Sequence, residues 1–235
     1  VASATTGKLS LVDADPSSVT FLSVVKTLDL APGLADLVFQ PDGEQLIVVS
    51  EQTNALGIVD LATLELSQVL STTEAGVRGP FRVSITNRQI GFGLGREVFY
   101  AFVLGRNGRL AVYESGPTSV GTARLLSTEA PRFNRPTDMQ LDPTQLDGQV
   151  WITHEDPLDP ETGQPVVGGG GALTRVLLEP LAPAPTLPPT GSETTLAERN
   201  LSLSFGSTDE SVLTGIPISI AFDDQVNLGA FPAPF

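Results

Sequence analysis

One stretch of this sequence concentrates residues able to do acid–base or metal chemistry. The sole histidine, His154, lies in WITHEDPLDPE and is followed by Glu155, Asp156, Asp159 and Glu161. A histidine with an orienting carboxylate can move protons near neutral pH. Glu155, Asp156 and Asp159 could instead offer hard oxygens to Ca²⁺, which takes about six to eight of them. The plainer alternative is a strand end that runs into a solvated acidic loop, with Asp-Pro starting a turn. A single histidine excludes multi-histidine zinc and copper centres. Asp13 and Asp15 form a second acidic pair open to the same two readings.

Other chemistry is poorly supported. The chain has no Cys, which removes disulfides, thiolate metal sites and cysteine catalysis. Ser84, Ser115 and Ser204 do not sit in a Gly-x-Ser-x-Gly elbow. The run Gly91-Phe92-Gly93-Leu94-Gly95 has the glycines of a phosphate loop, but a strand rather than a helix is expected after it. Asn200-Leu201-Ser202 is a glycosylation sequon, a triplet that also arises by chance.

Charge is segregated. The net charge is −14, which argues against nucleic-acid binding. Yet nine Arg lie between Arg78 and Arg135 against only three carboxylates, Glu97, Glu114 and Glu129, a local net of about +6. Arg82, Arg96, Arg106 and Arg109 are interleaved there with Phe81, Phe92, Phe99, Tyr100, Phe102 and Tyr113. Arg and aromatics together suit a docking face for an acidic protein or anionic polymer. They equally suit alternation, with rings inward and guanidiniums paired to carboxylates of neighbouring elements.

These residues must be positioned by β-structure. Gly (23) and Pro (19) are frequent and charged residues make up only 17%, so turns outnumber exposed helix faces. Alternation and turn signals place strands at 7–15, 20–30, 35–40, 45–51, 55–61 and 65–71, then at 81–86, 97–105, 109–115 and 122–129. Further strands are expected at 136–142, 148–155, 172–181, 201–207 and 215–224. Asn107-Gly108 between apolar runs is a strong hairpin signal. Residues 182–195 have the Pro-rich composition of a linker or strap. No apolar run approaches the roughly 18 residues of a membrane span. Val1 in place of an initiator methionine points to a start that is processed or lies upstream.

The pattern of these strands repeats. GLADLVFQPDGEQLIVVS (33–50) and RPTDMQLDPTQLDGQVWIT (135–153) share a turn-prone opening, a short strand, a Pro-containing turn and a second apolar strand. Further openings fall near 79 and 215. The segment 33–64 resembles the YVTN-type, lactonase-like β-propeller repeat at Gly33, Phe39, Pro41-Asp42-Gly43, Asn54, Asp60 and Thr63. The resemblance implies an all-β fold, a propeller of four-stranded antiparallel blades with about five blades' worth of chain. Residues 1–181 would form blades, and 196–235 a final partial blade and an extended tail. Ring closure would pair the outer strands of 7–30 with an inner strand at 215–224. Either the ring is small or the chain is part of a larger one, and the Gly-rich joins at 91–95 and 168–171 favour the latter.

Two functions follow as expectations. The first is a non-enzymatic, extracytoplasmic scaffold or interaction module, a subunit of a larger cell-envelope assembly in the periplasm or at the cell surface. It would meet a protein partner and touch a membrane only through that partner. The Lys-poor, Ser/Thr-rich composition supports the compartment. The second, implied by the resemblance, is a metal-dependent lactonase-like hydrolase with a divalent ion such as Ca²⁺ in the central channel, held by carboxylates such as Glu51, Asp60 or Glu155. A carbohydrate-binding surface is a third, weaker reading.

Overall fold

The computed structural model describes residues 1–91, 97–115, 123–126, 132–142, 148–159, 161–162, 164–168, 170–180, 194–196, 201–207 and 217–221. Its strands, in chain order, are β1 (Ala2–Ser3), β2 (Lys8–Val12), β3 (Val24–Asp29), β4 (Leu34–Phe39), β5 (Gln45–Ser50), β6 (Ala55–Asp60), β7 (Glu65–Ser71), β8 (Pro80–Ile85), β9 (Phe99–Gly105), β10 (Leu110–Ser115), β11 (Ala123–Leu126), β12 (Asn134–Leu141), β13 (Gln149–Glu155), β14 (Gly171–Pro180), β15 (Thr194–Thr195) and β16 (Leu201–Ser207). They form four sheets ordered β1-β2-β3, β4-β5-β6-β7, β8-β9-β10-β11-β15 and β12-β13-β14-β16. Every ladder is antiparallel except β11–β15. The all-β expectation and the meander at 33–71 therefore hold.

The sheets stack face to face, and the sequence says why. Strands such as QLIVVS and FYAFVLG read as continuous apolar runs because both of their faces are covered. In β5, Leu46 and Val48 pack with Leu9 and Leu28 of the first sheet. Its alternate residues Ile47 and Val49 pack with Val83, Ala101 and Val103 of the third. In β9, Tyr100, Phe102 and Leu104 turn the other way, onto Met139, Ile152 and Val176 of the fourth sheet. One sheet thus feeds two cores, and the four sheets make a row. The rings of Phe81, Phe99, Tyr100, Phe102 and Tyr113 are all buried in it.

Two expectations are corrected. The strand expected at 20–30 begins only at Val24. Upstream, Asp13 and Asp15 cap turns: Asp13 accepts from Asp15 N–H and Thr20 Oγ, and Asp15 accepts from Ser17 N–H and Oγ. Those hydrogen bonds, local to the chain, outcompete a strand. The expected ring closure is not formed among the described residues either. Residues 217–221 lie along β12 rather than β1 and belong to no sheet. No helix among the described residues is long and apolar enough to cross a membrane.

Candidate functional site

The first strands of the second, third and fourth sheets, β4, β8 and β12, lie side by side. Each opens on a residue with positive φ, namely Gly33 (80°), Gly79 (58°) and Arg135 (43°). Three residues later stand Asp36, Arg82 and Asp138, and these clasp one strand to the next. Asp36 Oδ2 accepts the Val83 N–H of β8 at 3.0 Å, while Oδ1 accepts its own neighbour Leu37 N–H at 2.9 Å. Asp138 repeats the arrangement, with Oδ2 accepting Ile220 N–H at 3.0 Å and Oδ1 accepting Met139 N–H at 2.9 Å. Arg82 Nε donates to Asp138 Oδ1 at 2.6 Å, and Ser219 Oγ donates to Oδ2 at 2.8 Å. These bonds hold 217–221 against β12, but the strand expected at 215–224 is not formed among the described residues, because its contacts run through side chains and not a backbone ladder.

The two aspartates titrate in opposite directions. Burial pushes the Asp36 carboxyl up from its ordinary 3.8, against the opposing pull of two backbone N–H groups and Arg82. Burial would also raise Asp138. There the Ile220 N–H, Arg82, Ser219 and the Met139 N–H together outweigh it and hold the carboxyl below 3.8.

Arginines gather at the end of the row where the inner strands begin. Arg82 and Arg106 face a cleft of about 560 Å³ with Phe81, Glu51 and Gln52. The Arg106 guanidinium sits 3.9 Å from the Phe81 ring centroid and pairs with Glu51 across the sheet boundary at 3.2 Å. A second hollow of about 210 Å³ is shared by Arg106, Arg132 and Arg135. Arg132 donates to Asn107 C=O, and Arg135 pairs with Glu155 at 2.9 Å. Arg109 is half-buried in the same β9–β10 turn. Arg96 lies outside the described residues. Of the four arginines singled out in sequence, Arg82 and Arg106 meet in one cleft, and Arg106 also lines the second hollow with Arg132 and Arg135.

His154 is fully buried. Its Nδ1 lies 3.1 Å from Glu155 C=O and its Nε2 2.8 Å from Thr174 Oγ. A carbonyl can only accept, so Nδ1 carries the proton and Nε2 accepts the Thr174 hydroxyl. The ring packs edge-on to Phe133, with centroids 5.2 Å apart. Burial pushes its pKa below 6.5, against Glu155 and Asp156. The histidine is a neutral core group. Unfolded chain binds its proton first as pH falls, so folded stability drops below about pH 6.5. Asp36, with its raised carboxyl, contributes the opposite slope at lower pH. His154→Gln is expected to flatten the fall in Tm between about pH 6.5 and 5, measured by thermal melts of both proteins.

The acidic cluster beside it is dispersed. Glu155 pairs with Arg135. Asp156 is buried and accepts from Asn134 Nδ2 and Gly168 N–H. Asp159 Oδ1 caps its own loop, accepting from Glu161 N–H, Thr162 N–H and Thr162 Oγ. Among the described residues no three His, Cys, Asp or Glu side chains gather as a metal-binding group. Glu51 and Asp60 lie at opposite ends of the second sheet, roughly 20 Å apart along β6 at about 3.4 Å per residue. Asp60 Oδ1 caps the β6–β7 turn through Ala62 and Thr63. With each carboxylate so engaged, millimolar Ca²⁺ or EDTA is expected to leave Tm unchanged; a rise of several degrees with Ca²⁺ would contradict this.

Ser84 and Ser115 are buried in hydrogen-bonded surroundings, Ser115 with Gln40 and Gln45. Phe92, the glycines at 93 and 95, and Asn200 lie outside the described residues.

No protein-family model matches the chain, and no curated protein matches it. Solved structures do. Hydrazine synthase of Kuenenia stuttgartiensis is similar at 13% identity, covering 77% of this chain and 53% of that one, with a TM-score of 0.45. Hsv2 of Kluyveromyces lactis is similar at 10% identity, covering 88% and 56%, with a TM-score of 0.47. Both are β-propeller proteins. A protein from Lactobacillus plantarum is similar at 19% identity, covering 85% and 48%, with a TM-score of 0.41. The chain spans about half the length of each of these three structures.

Sequence reasoning passed over Asp36 and Asp138. The available signal was their common place, three residues after the openings at Gly33 and Arg135.

Proposed function

We propose that the chain is a non-enzymatic β-propeller module, a run of radially stacked blades that docks an acidic protein partner on its arginine-bearing end. The observation that carries this is the gathering of Arg82, Arg106, Arg132 and Arg135 around two adjoining hollows, in a chain of net charge −14. The blade reading is supported by sheets that share faces in a row and by inner strands clasped through Asp36 and Asp138. A mixed charge field on one end steers association and selects partners of opposite sign. Membership of a larger extracytoplasmic assembly is part of the same reading. It is supported by the low lysine content and by the repeat resemblance at 33–64.

Native purification with identification of co-eluting chains tests it. An acidic partner at fixed stoichiometry is expected, retained at low salt and lost as salt rises. Exchanging both Arg106 and Arg132 for Glu should weaken that association by tenfold or more, with Tm lowered by only a few degrees, since the lost Arg106–Glu51 pair and Phe81 contact are partly exposed. Isolation as a free protein, with no salt-dependent affinity for polyglutamate as a model anion, would sink the idea.

A further inference from the structure

Arg132 is held differently from the other arginines at this end, and the β9–β10 turn explains how. The chain after Arg132 runs alongside that turn, with Phe133 N–H donating to Gly108 C=O at 3.0 Å. Phe133 is buried against His154, and Arg132 is exposed. The Arg132 Nε donates to Asn107 C=O at 3.2 Å. Asn107 is itself fixed, because its Oδ1 accepts Arg78 N–H at 3.1 Å and its Nδ2 donates to Gly76 C=O at 2.8 Å. One edge of the guanidinium is thereby anchored, and its two terminal nitrogens keep their donors.

The three guanidiniums around the second hollow also differ in how their charge is balanced. Arg106 bonds Glu51 through two nitrogens, at 3.2 and 3.5 Å. Arg135 pairs with Glu155 at 2.9 Å. Neither glutamate is among the residues that line the hollow. Among the described residues no carboxylate pairs with Arg132, whose anchoring acceptor is a neutral carbonyl. Asn107 and Asn134 add to the wall. The volume of about 210 Å³ is several times the roughly 30 Å³ share of one liquid water. An exposed guanidinium that is already paired must release one carboxylate to take another, so the exchange gains little. An unpaired one with an anchored fork gains charge-assisted hydrogen bonds at small ordering cost.

We propose that a single carboxylate of the acidic partner enters this hollow and is held by the terminal nitrogens of Arg132, which makes Arg132 the specificity-determining residue of the docking end. The assignment rests on the reading of that end as a docking face for an acidic protein. An Asp or Glu side chain presents two coplanar oxygens, which match the free fork of the guanidinium. The paired arginines Arg82, Arg106 and Arg135 shape the surrounding field and steer the approach, while Arg132 sets the rate of release.

Polyglutamate carrying a fluorescent label, titrated at low salt and followed by anisotropy, tests this. Arg132→Ala should weaken binding roughly tenfold or more, the scale of a lost hydrogen bond to a charged group. Arg106→Ala and Arg135→Ala should each weaken it a few-fold at most. Arg132→Lys keeps the charge without the fork and should not restore affinity. Glu155→Gln should strengthen binding, because it releases Arg135 into the hollow. Thermal melts identify the folded variants. Equal losses from the three alanine variants, full recovery with lysine, or no gain from Glu155→Gln overturn the Arg132 assignment and leave the docking face standing. Displacement of the probe by inorganic phosphate but not by acetate, at matched ionic strength, overturns the carboxylate as occupant. Absence of any polyglutamate affinity in the unaltered protein rejects the docking face and the assignment together.

Discussion

Asp138→Ala is expected to cost about 3–5 kcal/mol of folding stability, the scale seen when one member of a buried ion pair is removed. The carboxylate is buried and accepts from Arg82 Nε, Met139 N–H, Ser219 Oγ and Ile220 N–H. Alanine leaves all four donors facing a hole in a region water reaches poorly, and each orphaned donor carries its own desolvation cost. Urea melts of both proteins measure the loss. The comparison has a pH signature. Asp138 is held below 3.8 in the folded chain, so its stabilisation is present above that value and fades as pH falls through the lowered folded pKa. The gap between wild type and Asp138→Ala should therefore narrow under acid. Asp138→Asn keeps two acceptor lone pairs but loses the charge facing Arg82, and should fall between. A loss below 1 kcal/mol for alanine would mean the clasp between β8 and β12 is not a structural support.

Gly108→Ala is expected to be comparably damaging, about 2–5 kcal/mol, from a single methyl. Gly108 closes the β9–β10 turn at φ 76°, a conformation that costs an L-residue about 1–2 kcal/mol. A Cβ there would lie 1.9 Å from Phe133 C=O and 2.9 Å from its carbonyl carbon. That neighbour is backbone, and Phe133 N–H also donates to Gly108 C=O at 3.0 Å, so neither chain can yield without losing the bond. Overpacking of this kind costs about a further 1–3 kcal/mol. Thermal melts should show Tm lowered by about 10 °C, at about 2–4 °C per kcal/mol for a chain of this size. Gly43→Ala is the control. Gly43 has φ 78° but nothing within 4 Å of the added methyl, so only the backbone strain remains.

The strands were legible because their causes are local. Pro41-Asp42-Gly43 and Asn107-Gly108 announce turns by the φ they require, and apolar alternation does the rest. What escaped was set by distant partners. Two-residue β1 carries no periodicity, and it exists because β2 offers it an edge. Thr194–Thr195 pairs with β11 from within a segment read as linker. Asp36 and Asp138 look like ordinary polar positions of an alternating strand until the neighbouring sheet supplies the N–H groups they accept. His154 misled in the other direction. Beside Glu155 and Asp156 it reads as exposed and reactive, but strand alternation turns its ring inward onto Phe133, and the acids next to it are bonded elsewhere.

Because the second and third sheets each lend both faces to neighbours, they should unfold only as one cooperative block. The first sheet is different. Among the described residues it shares a single face, and Val24, Val25, Phe21 and Leu22 around β3 stay exposed. In a nearest-neighbour chain of modules, such a terminal unit melts before the interior. Amide exchange in the isolated chain should therefore spread inward from residues 8–29, with β5 and β9 the last to exchange.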